Sequence, residues 1–130
     1  MSIELGSIAI LSLMLMGITF IQGGLTPLIH GFGWGLGSRD TPVEQTAIQN
    51  RFARTVQNQI EAMLIYIPLM ALAVFLERTS ELTEIAAWLV IIGRAAFIAC
   101  YLFGVFGLRS LAYTTATVGS LMTVWALFAG

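Results

Sequence analysis

Apolar residues fill four stretches of this chain, and polar residues gather in the three connections between them. Residues 5–38 carry no formal charge apart from the titratable His30, and about 5–29 reads as a first apolar helix. At 1.5 Å per residue, that length crosses roughly 30 Å of hydrocarbon. Glycines at 31, 33, 35 and 37 follow, then Ser38-Arg39-Asp40-Thr41-Pro42. No strand precedes these glycines, so they read as a connection and not as a phosphate-binding loop. Thr41 is the expected N-cap, and Pro42 the first residue, of a long second helix over about 43–76. Its first half is polar and its second half uncharged, with Pro68 inside, where a membrane helix tolerates a kink. A polar turn over 77–81 leads to a third helix, about 82–103. Gly104 and Gly107 predict a tight turn before a fourth helix, about 109–129. Short loops make neighbours antiparallel, so the fold class is an all-α membrane protein, one domain over 1–130 built as an antiparallel four-helix transmembrane bundle.

Composition agrees with that pattern. The chain is 58% hydrophobic and only 10% charged, against about 25% charged residues in soluble domains, and its mean hydropathy is +0.88. A net charge of −1 offers no basic field to nucleic acid, which is excluded as a partner. The leader Met1-Ser2-Ile3-Glu4 has no positive charge, and the apolar stretch after it exceeds a signal h-region, so the first span is expected to be retained. The first and third connections hold or flank Arg39, Arg51, Arg54 and Arg109, whereas the second carries Arg78. The positive-inside rule then turns the first and third loops toward the cytoplasm.

Charge at membrane depth narrows the candidate chemistry. Arg51, Arg54, Asn58 and Glu61 fall within roughly 80° of arc on one helix face, and residues 62–76 below them carry no charge. An ionised group at that depth costs several kcal/mol unless it is paired or faces a polar cavity. On the third helix Arg94 and Tyr101 stand two turns apart on one face. Arg109, Ser110 and Tyr113 share about 100° of arc at the start of the fourth. All six basic residues are arginine, whose planar fork grips carboxylates in a way lysine does not. Glu61 alone cannot neutralise them, and the surplus of guanidinium groups points to an anionic ligand.

Other residues read as structural. Cys100 is the single cysteine, without a disulfide partner or metal motif, and is expected as a buried inert thiol. His30, Trp34, Trp88 and Trp125 read as interfacial anchors, and the six methionines as packing. No metal site is expected.

Arg54-x-x-x-Asn58-x-x-Glu61, preceded by Arg51 and followed by Pro68, resembles the signature of the MAPEG family, the membrane-associated proteins in eicosanoid and glutathione metabolism. Gly93-Arg94 with Tyr101, then Arg109-Ser110-x-x-Tyr113, is similar to the third- and fourth-helix pattern of its glutathione-binding members. Ser38-Arg39-Asp40 looks like the loop of its small bacterial branch. The resemblance covers nearly the whole chain. It implies a homotrimer in the bacterial inner membrane, with glutathione as co-substrate bound between subunits near the cytoplasmic side. Arg54, Asn58 and Glu61 would come from one subunit, joined by Arg51. Arg94, Tyr101, Arg109, Ser110 and Tyr113 would come from the next. The implied activity is a glutathione-dependent transferase or peroxidase acting on lipophilic electrophiles or hydroperoxides that arrive through the lipid bilayer. Arg109 would stabilise the thiolate, with a hydrogen bond from Ser110 or Tyr113. Lowering a thiol pKa near 8.5 by two units takes roughly 2.7 kcal/mol, within reach of one partly desolvated arginine.

Two other classes stay open at this stage. Residues 22–27 lack the cation with which the first span of several family members ends. That favours a non-catalytic MAPEG-fold protein with weak or no glutathione binding. A small four-span transporter would need an acid in the middle of the first span, where this chain has only Glu4, at its start.

Overall fold

The computed structural model describes residues 1–30 and 46–129. Four helices form the described chain: α1 (Ile3–His30), α2 (Ala47–Phe75), α3 (Glu81–Phe103) and α4 (Phe106–Ala129). Each contains a stretch long and apolar enough to cross a membrane. The expected four-span, all-helical architecture is thus present. Arg39, Trp34, the Thr41–Pro42 helix start and the His30 side chain lie outside what is described.

Local chemistry sets the helix ends. α2 starts at Ala47, four residues later than the expected 43, because Thr46 and Gln49 close a reciprocal capping box. The Gln49 amide donates to Thr46 Oγ1 at 3.3 Å, and the Thr46 amide donates to Gln49 Oε1 at 2.8 Å. Ser80 caps α3 in the same manner, with Glu81 and Glu84 placed favourably at the positive end of the helix dipole. α3 ends at Gly104, which adopts φ 74°, ψ 28°. The Val105 amide reaches back to the Cys100 carbonyl at 2.8 Å, a Schellman closure that needs a residue at ease with positive φ. Gly107, expected in this turn, instead lies within the first turn of α4, since Gly104 alone supplies the reversal. α2 continues through Pro68 as one element.

Small residues let α3 and α4 approach most closely. A Cβ on Gly93 would lie 2.7 Å from the Ala116 nitrogen, and one on Gly119 would lie 2.8 Å from the Ala86 carbonyl oxygen. Ala86, Val90 and Gly93 thus oppose Ala112, Ala116 and Gly119, each set at i, i+4, i+7. Such close backbone approach replaces the hydrophobic drive that lipid removes between membrane helices. The core around this pair is closed by Leu11 from α1 and by Tyr66, Met70 and Ala73 from α2. Phe20, Phe75, Phe103 and Phe128 point outward and are exposed. Trp88 and Trp125 are exposed. Cys100 is half-buried and not enclosed.

Polar bonds pin α1 to its neighbours at the other end of the bundle. Glu4 is buried, and its Oε1 accepts from Thr83 Oγ1 at 2.9 Å. The Ser7 and Tyr66 hydroxyls bond to each other, and Ser7 also donates to the Glu4 carbonyl. Glu4 is thus a tie between α1 and the start of α3.

Candidate functional site

Arg94 lies near the middle of α3 and is 1% exposed, the largest fully buried side chain among the described residues. Its position follows Gly93, whose contact with Ala112 and Ala116 draws α3 against α4. Its Nε donates to Gln59 Oε1 at 2.9 Å, and its guanidinium carbon stands 4.5 Å from the centre of the Phe97 ring. Nη1 and Nη2 are buried and have no hydrogen-bond partner among the described residues. Leaving donors of a charged group unmatched in a low-dielectric interior costs several kcal/mol. Both nitrogens therefore keep hydrogen-bonding capacity among the described residues.

A cleft of about 140 Å³ provides the space. It opens between α2, α3 and α4, and Arg94 lines it together with Asn58 and Glu61 of α2 and Tyr113 of α4. Ile65, Val90 and Ala116 supply apolar wall. Four of the sequence-predicted site residues thus share one cleft within a single chain, two from α2 and one each from α3 and α4. Glu61 is exposed and accepts from Gln57 Nε2 at 3.1 Å, one turn earlier on the same helix. It forms no bond to Arg94, so the cleft is lined by a carboxylate and a guanidinium that are not paired with each other.

A row of rings links Tyr101 and Arg109 to this wall. The Arg109 guanidinium carbon is 5.2 Å from the centre of the Tyr101 ring. The Tyr101 and Phe97 centroids are 5.6 Å apart, and those of Phe97 and Tyr113 are 6.1 Å apart. Arg109 is therefore connected to the cleft through three aromatic side chains without lining it. Ser110 is exposed, and its carbonyl accepts from Thr114 Oγ1 at 2.9 Å.

The remaining two candidates stand apart from the cleft lining. Arg54 is exposed on the α2 surface. Arg51 reaches the end of α3, where Nη1 donates to the Leu102 carbonyl at 3.5 Å and Nη2 lies 3.5 Å from where a Gly104 Cβ would be. A cation over the open carbonyls of a helix C-terminus is favourable there, so Arg51 ties α2 to α3 in the single chain.

Sequence reasoning passed over Gln59 and Phe97. Both sit on buried helix faces. The usable signal was polarity in the wrong place: Phe52, Thr55, Gln59, Tyr66, Met70 and Ala73 form the inward stripe of α2, and an amide there needs partners.

Compared with families of known proteins, residues 5–129 match the MAPEG family. Neither a curated protein nor a solved structure matches the chain.

Proposed function

The chain belongs to the MAPEG family and is an integral multi-pass membrane protein, and from that premise we propose that it is a glutathione-dependent transferase or peroxidase acting on lipophilic electrophiles or hydroperoxides. One observation carries this reading. A buried guanidinium, two of whose nitrogens have no hydrogen-bond partner among the described residues, lines a cleft together with Asn58, Glu61 and Tyr113. Glutathione offers two carboxylates, one ammonium and a thiol, and this set answers one carboxylate and the ammonium by charge. Arg94 takes a carboxylate, Glu61 the ammonium, and Asn58 a peptide group. Arg54 and Arg51 would contribute from the α2 surface, and the exposed polar edges of α2 and α4 suit a homotrimer in which a neighbour completes the site.

The chemistry asked of the protein is to keep the sulfur deprotonated. Arg109, with Ser110 or Tyr113 as hydrogen-bond donor, stabilises the anion electrostatically, and Tyr101 holds Arg109 in place through its ring face. In conjugation with an aryl halide, sulfur bonds to the ring carbon, halide leaves and the thiol proton passes to solvent. In peroxide reduction, two glutathione molecules reduce one hydroperoxide to alcohol and water and become one disulfide. The second substrate reaches the cleft from the bilayer past Ile65 and Thr117, exposed wall residues at membrane depth. We place the protein in the bacterial inner membrane with its first and third loops cytoplasmic, as its arginines suggest.

A second reading draws on a specific feature. Arg109 and Ser110 are absent from the cleft lining of the single chain, which suits a non-catalytic MAPEG-fold protein that binds glutathione weakly or not at all. Purified protein assayed with glutathione against 1-chloro-2,4-dinitrobenzene and cumene hydroperoxide separates the two. Activity above the uncatalysed rate supports the first reading. Weak binding without turnover, or no binding, supports the second.

A further inference from the structure

Gln59 is 0% exposed and uses both ends of its amide. Nε2 donates to the Leu11 carbonyl of α1 at 3.2 Å, and Oε1 accepts from Arg94 Nε at 2.9 Å. A carbonyl only accepts and a guanidinium only donates. One orientation of the amide satisfies both neighbours, and the reverse satisfies neither. Helix α1 therefore fixes the amide, and the amide fixes the guanidinium.

A guanidinium has two ways to grip a carboxylate: side-on through Nε and one Nη, or end-on through both Nη groups. Gln59 occupies Nε, and Phe97 covers one face of the plane. Only the end-on fork is left, and its two nitrogens are the buried, unmatched ones. The partner at position 59 is neutral, so it orients the cation without cancelling its charge. A carboxylate in that place would satisfy Arg94 inside the chain and close the fork to any ligand.

We propose that Gln59 is the positioning residue of the cleft, holding Arg94 as an open end-on receptor near mid-membrane for one carboxylate of the ligand. This rests on the proposed function for glutathione as the source of that carboxylate. The fork itself asks only for the group, which a fatty acid dissolved in the bilayer also carries.

Full-length protein in detergent tests this. Dissociation constants are measured for glutathione, for oleate and for oleyl alcohol, with melting temperatures, in wild type and Gln59→Glu. Wild type should bind glutathione or oleate at least about tenfold more tightly than oleyl alcohol. Gln59→Glu should weaken that carboxylate ligand by about tenfold or more, a difference of roughly 1.4 kcal/mol, with a melting temperature within about 5 °C of wild type, because internal pairing with Arg94 offsets the lost donor to the Leu11 carbonyl. Oleate binding without glutathione binding ends the glutathione reading and keeps the fork. Glutathione binding that Gln59→Glu changes by less than twofold keeps that reading and overturns the positioning role. Equal affinity for oleate and its alcohol with no glutathione binding, or no binding of either acid, overturns the fork in wild type alone, whatever the variant does. Affinity lost together with about 5 °C or more of melting temperature assigns Gln59 to the fold and overturns the proposal.

Discussion

Gly93 rests directly on the backbone of Ala116: a Cβ on the glycine would stand 2.7 Å from the Ala116 nitrogen and 2.9 Å from the Ala112 carbonyl oxygen. Both atoms belong to a helix, so neither can turn aside as a flexible side chain would. The next residue is Arg94, and its placement depends on this contact.

Gly93→Ala therefore sets two effects against each other. Alanine gains about 1 kcal/mol of helix propensity over glycine. Overpacking against rigid backbone costs about 1–3 kcal/mol, so the balance falls on destabilisation. We expect a lower melting temperature in detergent for Gly93→Ala and a larger drop for Gly93→Val. Both should weaken ligand binding, because separating α3 from α4 widens the cleft between Arg94 and Tyr113. A melting temperature at or above wild type would show that α4 shifts freely.

Arg109 carries the second prediction. Its guanidinium lies over Tyr101 and joins the cleft through Phe97 and Tyr113. If it holds the sulfur as an anion, Arg109→Ala raises the thiol pKa by up to about two units, from roughly 6.5 back to 8.5, and lowers conjugation near pH 7 by up to about 25-fold. The sign of the pH dependence follows. A thiol whose pKa has risen is deprotonated only at higher pH, so the deficit shrinks as pH rises toward 9. Rate profiles of both proteins from pH 6 to 9 check this, and a deficit constant across the range would remove Arg109 from thiolate stabilisation.

Much of this arrangement was legible along the chain, and the boundary is physical. Helix existence follows from uninterrupted apolar stretches, and the family follows from residue types at fixed helical spacing. Asn58, Glu61, Arg94 and Tyr113 do meet at one cleft. Spacing within a helix fixes which face a residue takes, yet not which neighbouring helix meets that face. Arg51 shows the difference: it shares the arc of Asn58, but its length lets it reach the open carbonyls at the end of α3. Gln59, one position from Asn58, turns about 100° inward and finds Leu11 and Arg94. The start of α2 was readable from Thr46-x-x-Gln49, but Thr41-Pro42 gave a competing signal of the same kind.

Among the described residues, Glu61 is exposed and bonds only along its own helix, to Gln57. Its removal as a charge should therefore leave the fold alone. Glu61→Gln is expected to weaken glutathione binding by about tenfold, the loss of one charge-assisted hydrogen bond to the ammonium, with an unchanged melting temperature. Calorimetry on the variant measures it, and an unaltered dissociation constant would place the ammonium elsewhere.

The turn between α2 and α3 holds a residue in an unfavourable backbone state. Glu77 has φ 57°, the left-handed region, and is the one non-glycine with positive φ among the described residues. It is held there by helix closure, with the Glu77 amide donating to the Val74 carbonyl at 3.2 Å and the Arg78 amide to the Ala73 carbonyl at 2.8 Å. That conformation costs an L-residue roughly 1–2 kcal/mol, and glycine meets no such cost. Glycine gives back part of the gain through the greater freedom of its unfolded chain, up to about 1 kcal/mol. Glu77→Gly should thus be neutral to about 1 kcal/mol stabilising, seen as a melting temperature that holds or rises by a few degrees. Turnover should not change, since the turn lies at the end of the bundle away from Arg109. A fall in melting temperature would mean that the Glu77 side chain contributes more to the turn than its backbone costs.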